Sequence, residues 1–238
     1  MTEENLKTKK NKTWKKWEII YLISCLVVIT ICFIFSPDKS ILSFITSLFG
    51  VTTVFLLAKG FVFAPITDFI YNILYSAVSI VMCYYGEALI YIFIMMPITI
   101  SALVSWIKNK NSDDNTVKVN VISKKEWLYL VFATIGATIG FYFLLKVLNT
   151  RELIISTISL ISSMLGGYLI FRRSAYYAIP FIINDVILII LWGLSIFEFG
   201  LMYLPNVLSF FVFLFNDSYG FVRWKKSEKS LKEENSKQ

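Results

Sequence analysis

The sequence predicts an all-α integral membrane protein: eight spans, arranged as two parallel triplets of helices with one connecting helix between them and an extra helix at the N-terminus. Three observations carry this. Of 238 residues, 57% are hydrophobic and the mean hydropathy is +0.68, more apolar surface than a soluble domain can hide. Eight runs are long enough to cross a hydrocarbon core, which takes about 20 helical residues, and they do not alternate as barrel strands would. The basic residues fall almost entirely at the two ends and in every second connection.

In order, the runs are 19–35, 40–58, 61–83, 86–107, 126–146, 152–171, 175–197 and 200–222. The first follows a basic start, Lys7 to Lys16, and no small-residue cleavage site follows it, so it reads as a span with Pro37-Asp38 as its closing turn. A cytoplasmic N-terminus puts Lys59, Lys108, Lys110, Lys118, Lys124, Lys125, Arg172, Arg173, Arg223 and the lysines of both ends inside. That is 20 of the 23 Lys and Arg, with only Lys39, Lys146 and Arg151 outside. Both ends are therefore expected in the cytoplasm.

The polar stretch Asn109 to Lys125 divides the chain after the fourth span and reads as its one linker. Spans two to four and six to eight then repeat four landmarks in one order. A Ser/Thr/Gly-rich helix (Ser43, Thr46, Ser47 and Gly50 against Ser156, Ser159, Ser163 and Gly166) leads to a basic inner turn (Lys59 against Arg172-Arg173). A helix with a central Asn follows (Asn72 against Asn184), and a Trp beside basic residues closes each set (Trp106 against Trp224). Because one span intervenes, the triplets run parallel, a pattern found in carriers that hold cargo between repeats. The divisions are 1–38, basic N-terminus and extra helix; 39–108, first triplet; 109–148, loop and connecting helix; 149–224, second triplet; 225–238, charged tail.

Composition also removes chemistries. There is no histidine, and Cys25, Cys32 and Cys83 all lie in apolar runs, which argues against zinc sites, Ser-His-Asp hydrolysis and a disulfide framework. The net charge of +7 sits in loops and ends, so it marks topology and not nucleic acid. No cofactor and no metal are expected.

The residues that stand out are Asn184-Asp185 and Asn216-Asp217. A carboxylate at membrane depth costs several kcal/mol unless it faces a cavity or a partner. Counting from Arg172-Arg173 at about 1.5 Å per residue puts Asp185 near the bilayer centre. Asp217 precedes Arg223 by six residues and reads as nearer the inner face, within reach of that arginine. Asp68 lies some seven residues inside the third span and three after Pro65, at a depth like that of Asp217 in the other repeat, although as a charge near a helix start it is also favoured by the helix dipole. Tyr71, Asn72 and Tyr75 cluster together, Trp192 lies two turns beyond Asn184, Asn206 shares a face with Phe210, and Asn216 and Tyr219 follow at the inner end. Amides and hydroxyls satisfy a sugar, while aromatic faces stack on a flat ring or attract a cation. Trp14, Trp17, Trp106, Trp127 and Trp224 flank spans and read as interface anchors. Pro97 and Pro205 read as hinges in the closing helices. Gly136 and Gly140 offer a close-packing surface or a contact between two copies, which leaves a homo-oligomer open.

These motifs resemble those of the PnuC family of nicotinamide riboside and related vitamin transporters. NDVILIILW (184–192) and NDSYGFVRW (216–224) carry the likeness in the second half, and AKG, YNILYSAVSI and YYGEALIYIFIMMPITISALVSW carry it in the first. The resemblance covers about residues 40–226 and is closest to the branch from Gram-positive bacteria. It implies a fold like that of the SWEET sugar transporters, 3+1+3 helices, here with an added first span. It also implies facilitated diffusion of nicotinamide riboside by alternating access across a bacterial plasma membrane, with cytoplasmic phosphorylation trapping the cargo. The family's binding residues map onto Asn72, Tyr75, Asn184, Trp192, Asn206 and Asn216. Where many members close the first repeat with a stretch like YGWYNW, this chain has ISALVSW, so Trp106 stands alone. Nicotinamide riboside joins a cationic pyridinium to a ribose, and Asp185 is the expected counter-charge, with tyrosines and Trp192 stacking on the ring.

Rival readings are a related cargo (thiamine, riboflavin or a deoxynucleoside) and a vitamin-binding subunit of an ATP-driven importer. A membrane aspartyl protease would need Asp185 and Asp217 to share a proton, and the sequence puts them about two turns apart in depth. The chain is therefore not expected to be an enzyme. The partners expected are a small nucleoside-like vitamin and the lipid bilayer.

Overall fold

The computed structural model describes residues 15–36, 39–112, 115–150 and 152–236, without the side chains of Phe199, Glu234 and Asn235. Trp14 and the basic start, the Pro37-Asp38 turn, Asp113-Asp114, Arg151 and Lys237 lie outside the described residues. The apolar runs form eight helices: α1 (Lys16–Phe35), α2 (Ile41–Ala58), α3 (Ala64–Val81), α4 (Tyr85–Lys108), α5 (Lys124–Val147), α6 (Leu153–Phe171), α7 (Ala178–Phe199) and α8 (Leu204–Asn235). Short 3₁₀ turns, Ala175–Tyr177 and Leu201–Tyr203, lead into α7 and α8. All eight regions are long and apolar enough to span a membrane.

Packing closes six of the helices into a ring. Helix α2 packs on α3 and α3 on α4; α6 packs on α7 and α7 on α8; the ring closes where α2 meets α8 and α4 meets α6. The first helix of each triplet thus meets the last helix of the other, as a parallel pair of repeats requires. Outside the ring, α5 lies against α6, and α1 against α2 and α8.

Helix ends set the register between the triplets. α2 and α6 both finish in a left-handed residue, Gly60 at φ 67° and Arg173 at φ 57°. The following amide reaches back in the same way at each, Phe61 N–H to Leu56 O at 3.0 Å and Ser174 N–H to Leu169 O at 2.9 Å. Glycine takes that conformation freely, whereas Arg173 carries its cost. Counting from these two residues, Tyr71 corresponds to Asn184 and Asn72 to Asp185, and all four are buried. The matching of Asn72 with Asn184 is therefore corrected by one residue.

In α4 a π-helical turn, Tyr91–Met95, adds one residue. Beyond it Glu87 corresponds to Asn206 and Tyr84 to Tyr203; before the basic end Thr99 corresponds to Asp217 and Trp106 to Trp224. Pro97 directly follows that turn, which absorbs its missing N–H. Pro205 instead sits in the first turn of α8, where no helix bond is lost, so it interrupts nothing.

The N-terminal helix also has a counterpart. Glu18 in the first turn of α1 pairs with Lys59 at the end of α2, 41 residues on. Glu126 in the first turn of α5 pairs with Arg172 at the end of α6, 46 residues on. Helix α1 thus stands to α2 as α5 stands to α6, and the chain reads as two halves of four helices.

Three other sequence expectations change. The polar linker is a strap across the basic end: Val117 N–H donates to Gly60 O and Val62 N–H to Asn115 O, both at 2.9 Å, while Asn120 N–H donates to Arg173 O at 2.9 Å. It ties the two inner turns together. Trp106 and Trp224 are not interface anchors, being 0% and 3% exposed and packed on each other at 5.6 Å. The surfaces over Gly136 and Gly140 are open, with nothing within 4 Å of an added Cβ, so these glycines seat α5 against no described neighbour.

Candidate functional site

Two packed layers leave a polar space between them. Toward the basic end lie Trp106, Trp224 and Tyr177; toward the opposite end lie Tyr75, Tyr84, Trp192 and Tyr203. The cavity between holds about 50 Å³, room for a few water molecules and well below the roughly 300–1,000 Å³ of ligand sites. Thr53 and Leu57 of α2, Asp68, Tyr71 and Asn72 of α3, and Tyr91 and Met95 of α4 line one half. Ile170 of α6, Phe181, Asn184, Asp185 and Leu188 of α7, and Phe210, Phe213 and Asp217 of α8 line the other. Among the described lining residues there is no Lys or Arg. Gly50 lets this wall form, since a Cβ there would lie 2.5 Å from Phe213 Cζ and 2.8 Å from the Tyr71 ring.

The polar groups at matched positions differ between the halves. In the first, Asn72 Nδ2 donates to Thr99 Oγ1 at 3.1 Å, and the Thr99 hydroxyl donates to Asp68 Oδ2 at 2.7 Å. In the second, Asp185 and Asp217 occupy the corresponding places and face each other within hydrogen-bonding reach, while Asp185 Oδ2 has no partner. Two carboxyls in contact cannot both stay ionised without a shared proton or an added cation. Beside them Asn184 Oδ1 accepts from Ser159 and Ser162 hydroxyls at 3.0 and 2.9 Å.

This corrects the depth estimate for Asp217. It meets Asp185, and Arg223 turns instead toward Glu18 at 3.6 Å. The reason is that α8 continues to Asn235, so Arg223 does not mark its membrane end. Tyr177 and Trp224 rings touch at 5.0 Å, and Asp185 and Asp217 stand at similar heights above that contact. Separation in depth is therefore no ground against proton sharing.

Of the residues singled out from the sequence, Asn72, Asn184 and Asp185 line the cavity together. Tyr75 and Trp192 sit one layer beyond it, joined by a 2.8 Å bond from Trp192 Nε1 to Tyr75 Oη, with Tyr91 and Phe210 rings against Tyr75. Asn206 is on the α2–α8 seam, its Oδ1 accepting from the Ser43 and Ser47 hydroxyls. Asn216 faces α1, with Nδ2 3.5 Å from Tyr21 Oη. Tyr219 donates to Glu18 Oε1 at 2.6 Å, at the basic end. Asn206, Asn216 and Tyr219 are not brought to the cavity.

That basic-end cluster went unnoticed in the sequence. Lys59 donates to Glu18 at 2.5 Å with 3% and 0% of the side chains exposed. Burial pulls the Lys59 ammonium below the ordinary lysine range, and Glu18 opposes it. At the matched place the Glu126 carboxylate holds Arg172 above its usual value, although both are more exposed. Thr99 and Glu87 were missed as well, and the serines of α6 were read only as a landmark of the repeat; the spacing between the halves is the signal that marks them.

Eight apolar helices, six of them closed around a polar chamber between parallel repeats, define a multi-pass membrane transporter. Residues 40–226 match the family described as nicotinamide mononucleotide transporter, and the chain belongs to that family. It is 25% identical over 217 residues to the nicotinamide riboside transporter PnuC of Neisseria mucosa, covering 90% of this chain and 82% of that protein. The crystal structure of the vitamin B3 transporter PnuC superposes with a TM-score of 0.80 at 24% identity, over 91% of this chain and 94% of that one. That likeness bears on the fold. Family membership also sets the chain among transporters and not enzymes.

Proposed function

We propose that this protein carries nicotinamide riboside across a bacterial plasma membrane by facilitated diffusion, with the basic end in the cytoplasm and phosphorylation there trapping the cargo. The observation that carries this reading is the charge of the cavity: Asp68, Asp185 and Asp217 line it with no described Lys or Arg. A cationic pyridinium relieves the repulsion among these carboxyls, while a phosphate dianion adds to it, which favours the riboside over its mononucleotide. Asn72, Asn184 and Thr53 supply acceptors and donors for a ribose, and Tyr71, Tyr91 and Phe181 supply ring faces. The cavity is contracted, so cargo enters after the layer at one end parts, as alternating access requires. The basic end faces inward by the distribution of Lys and Arg.

The test is uptake into liposomes containing the purified protein, with no ion gradient, from a panel of nicotinamide riboside, nicotinamide mononucleotide, thiamine, riboflavin and a deoxynucleoside. Riboside is expected to equilibrate and the mononucleotide to stay outside. Preferred uptake of the mononucleotide or of a neutral nucleoside would overturn the reading.

A further inference from the structure

Among the described residues, one buried carboxyl group stands outside both the central cavity and the ion pairs. Glu87, in the first turns of α4, is 0% exposed, and neither of its carboxyl oxygens has a hydrogen-bond partner. Its position corresponds to that of Asn206 in α8, yet the two are treated differently. Asn206 receives two hydroxyl donors from α2. Glu87 has Ser159 of α6 beside it, and the Ser159 hydroxyl is given to Asn184 Oδ1 at 3.0 Å. The Ser156 hydroxyl, packed under Gly86 one residue away from Glu87, is also without a partner. An ionisable group left unsatisfied at membrane depth is costly, whereas the matched amide leaves only its neutral Nδ2 without a partner.

The surroundings supply a direction. Ser159 joins Glu87 to Asn184, which lines the cavity. Tyr75 and Tyr91 are its electrostatic neighbours, and Tyr91 lines the cavity too. Carboxylate, hydroxyls, amide and ring faces thus run from the end opposite the basic turns toward Asp185.

We propose that Glu87, with Ser156 and Ser159, forms a second cation station on the α4–α6 seam, where the positive ring of the cargo rests on its way to the central carboxyls. This rests on reading the cargo as a cationic nucleoside. It makes Glu87 a further specificity-determining residue: it adds to the selection for ring charge made by the central carboxyls, whereas the central amides and hydroxyls serve the ribose.

The experiment compares uptake of nicotinamide riboside with that of its dihydro form, which has nearly the same shape and no ring charge, in liposomes with wild type, Glu87→Gln and Glu87→Asp. Wild type is expected to prefer the cation. In Glu87→Gln the ratio of kcat/KM for the charged to the neutral cargo is expected to fall about tenfold or more, with the change mainly in KM. Glu87→Asp, which keeps the charge, is expected to retain most of the ratio, and this guards against misreading a folding defect. An unchanged ratio in Glu87→Gln, or an equal loss of ratio in both variants, would overturn the station. Failure of the wild type to prefer the cation would instead remove the reading of the cargo, and the station with it.

Discussion

The two halves, α1–α4 and α5–α8, use one backbone plan for two different electrostatic problems. In both, an acidic residue in the first turn of the outer helix pairs with a base at the end of the next, the inner turn ends in a left-handed residue, and the last helix carries a buried Trp toward the basic end. At the centre they part. Asn72 and Thr99 hand a hydrogen bond on to a single carboxyl, Asp68, while Asp185 and Asp217 put two carboxyls against each other at the same places. The first half fills the same places with an amide and a hydroxyl. The pair therefore serves something that the apolar bundle does not need for itself, and a cation passing through is what would settle its charge.

At the ends of the helices the balance is reversed, which gives the comparison a first test. Glu18 and Lys59 are buried, so Glu18→Gln removes the buried carboxylate that pairs with this ammonium and is expected to destabilise the protein by about 3–5 kcal/mol. A thermal melt in detergent measures it. If Glu18→Gln melts like wild type, α1 is an accessory and not part of the repeated unit. A middle-sized effect belongs to Trp192, whose indole holds the Tyr75 hydroxyl where the first half has Ser79. Trp192→Phe is expected to cost about 1–3 kcal/mol and to loosen the layer beyond the cavity, read in the same melt. The smallest change is expected for Glu126→Gln: its pair with Arg172 is 35% and 19% exposed, and such pairs contribute about 1 kcal/mol or less. Equal effects of Glu18→Gln and Glu126→Gln would dissolve the distinction between a buried and a surface lock.

Much of this was legible in the sequence, and the rest had physical reasons not to be. Continuous apolar runs marked the eight helices, because bilayer thickness acts on composition alone, and the placement of Lys and Arg is the basis for reading them as parallel triplets. The one-residue offset between Asn72 and Asn184 was not legible: like residues were matched, whereas the register is set by the left-handed ends at Gly60 and Arg173 and by the π turn in α4. Asp217 was placed too near the surface because Arg223 looked like the end of a helix that runs on to Asn235. Asn109 to Lys125 looked like a free linker because bonds from its backbone to Gly60 and Arg173 leave no trace in side-chain type. Glu87 was overlooked because a lone acid near the start of a span resembles a residue at the membrane surface. Its match to Asn206 across the two halves is the signal in the sequence, and its burial makes it stand out in the structure.

The central claim is that the charge of the second half, and not the shape of the chamber, chooses the cargo. Calorimetric titration of nicotinamide riboside into wild type and into Asp185→Asn/Asp217→Thr, which gives the second half the polar pair of the first, tests it most directly. The account predicts a folded variant that binds the riboside about 100-fold more weakly, a loss near 2.7 kcal/mol, with its discrimination against the mononucleotide reduced. Undiminished riboside affinity in that variant would contradict it.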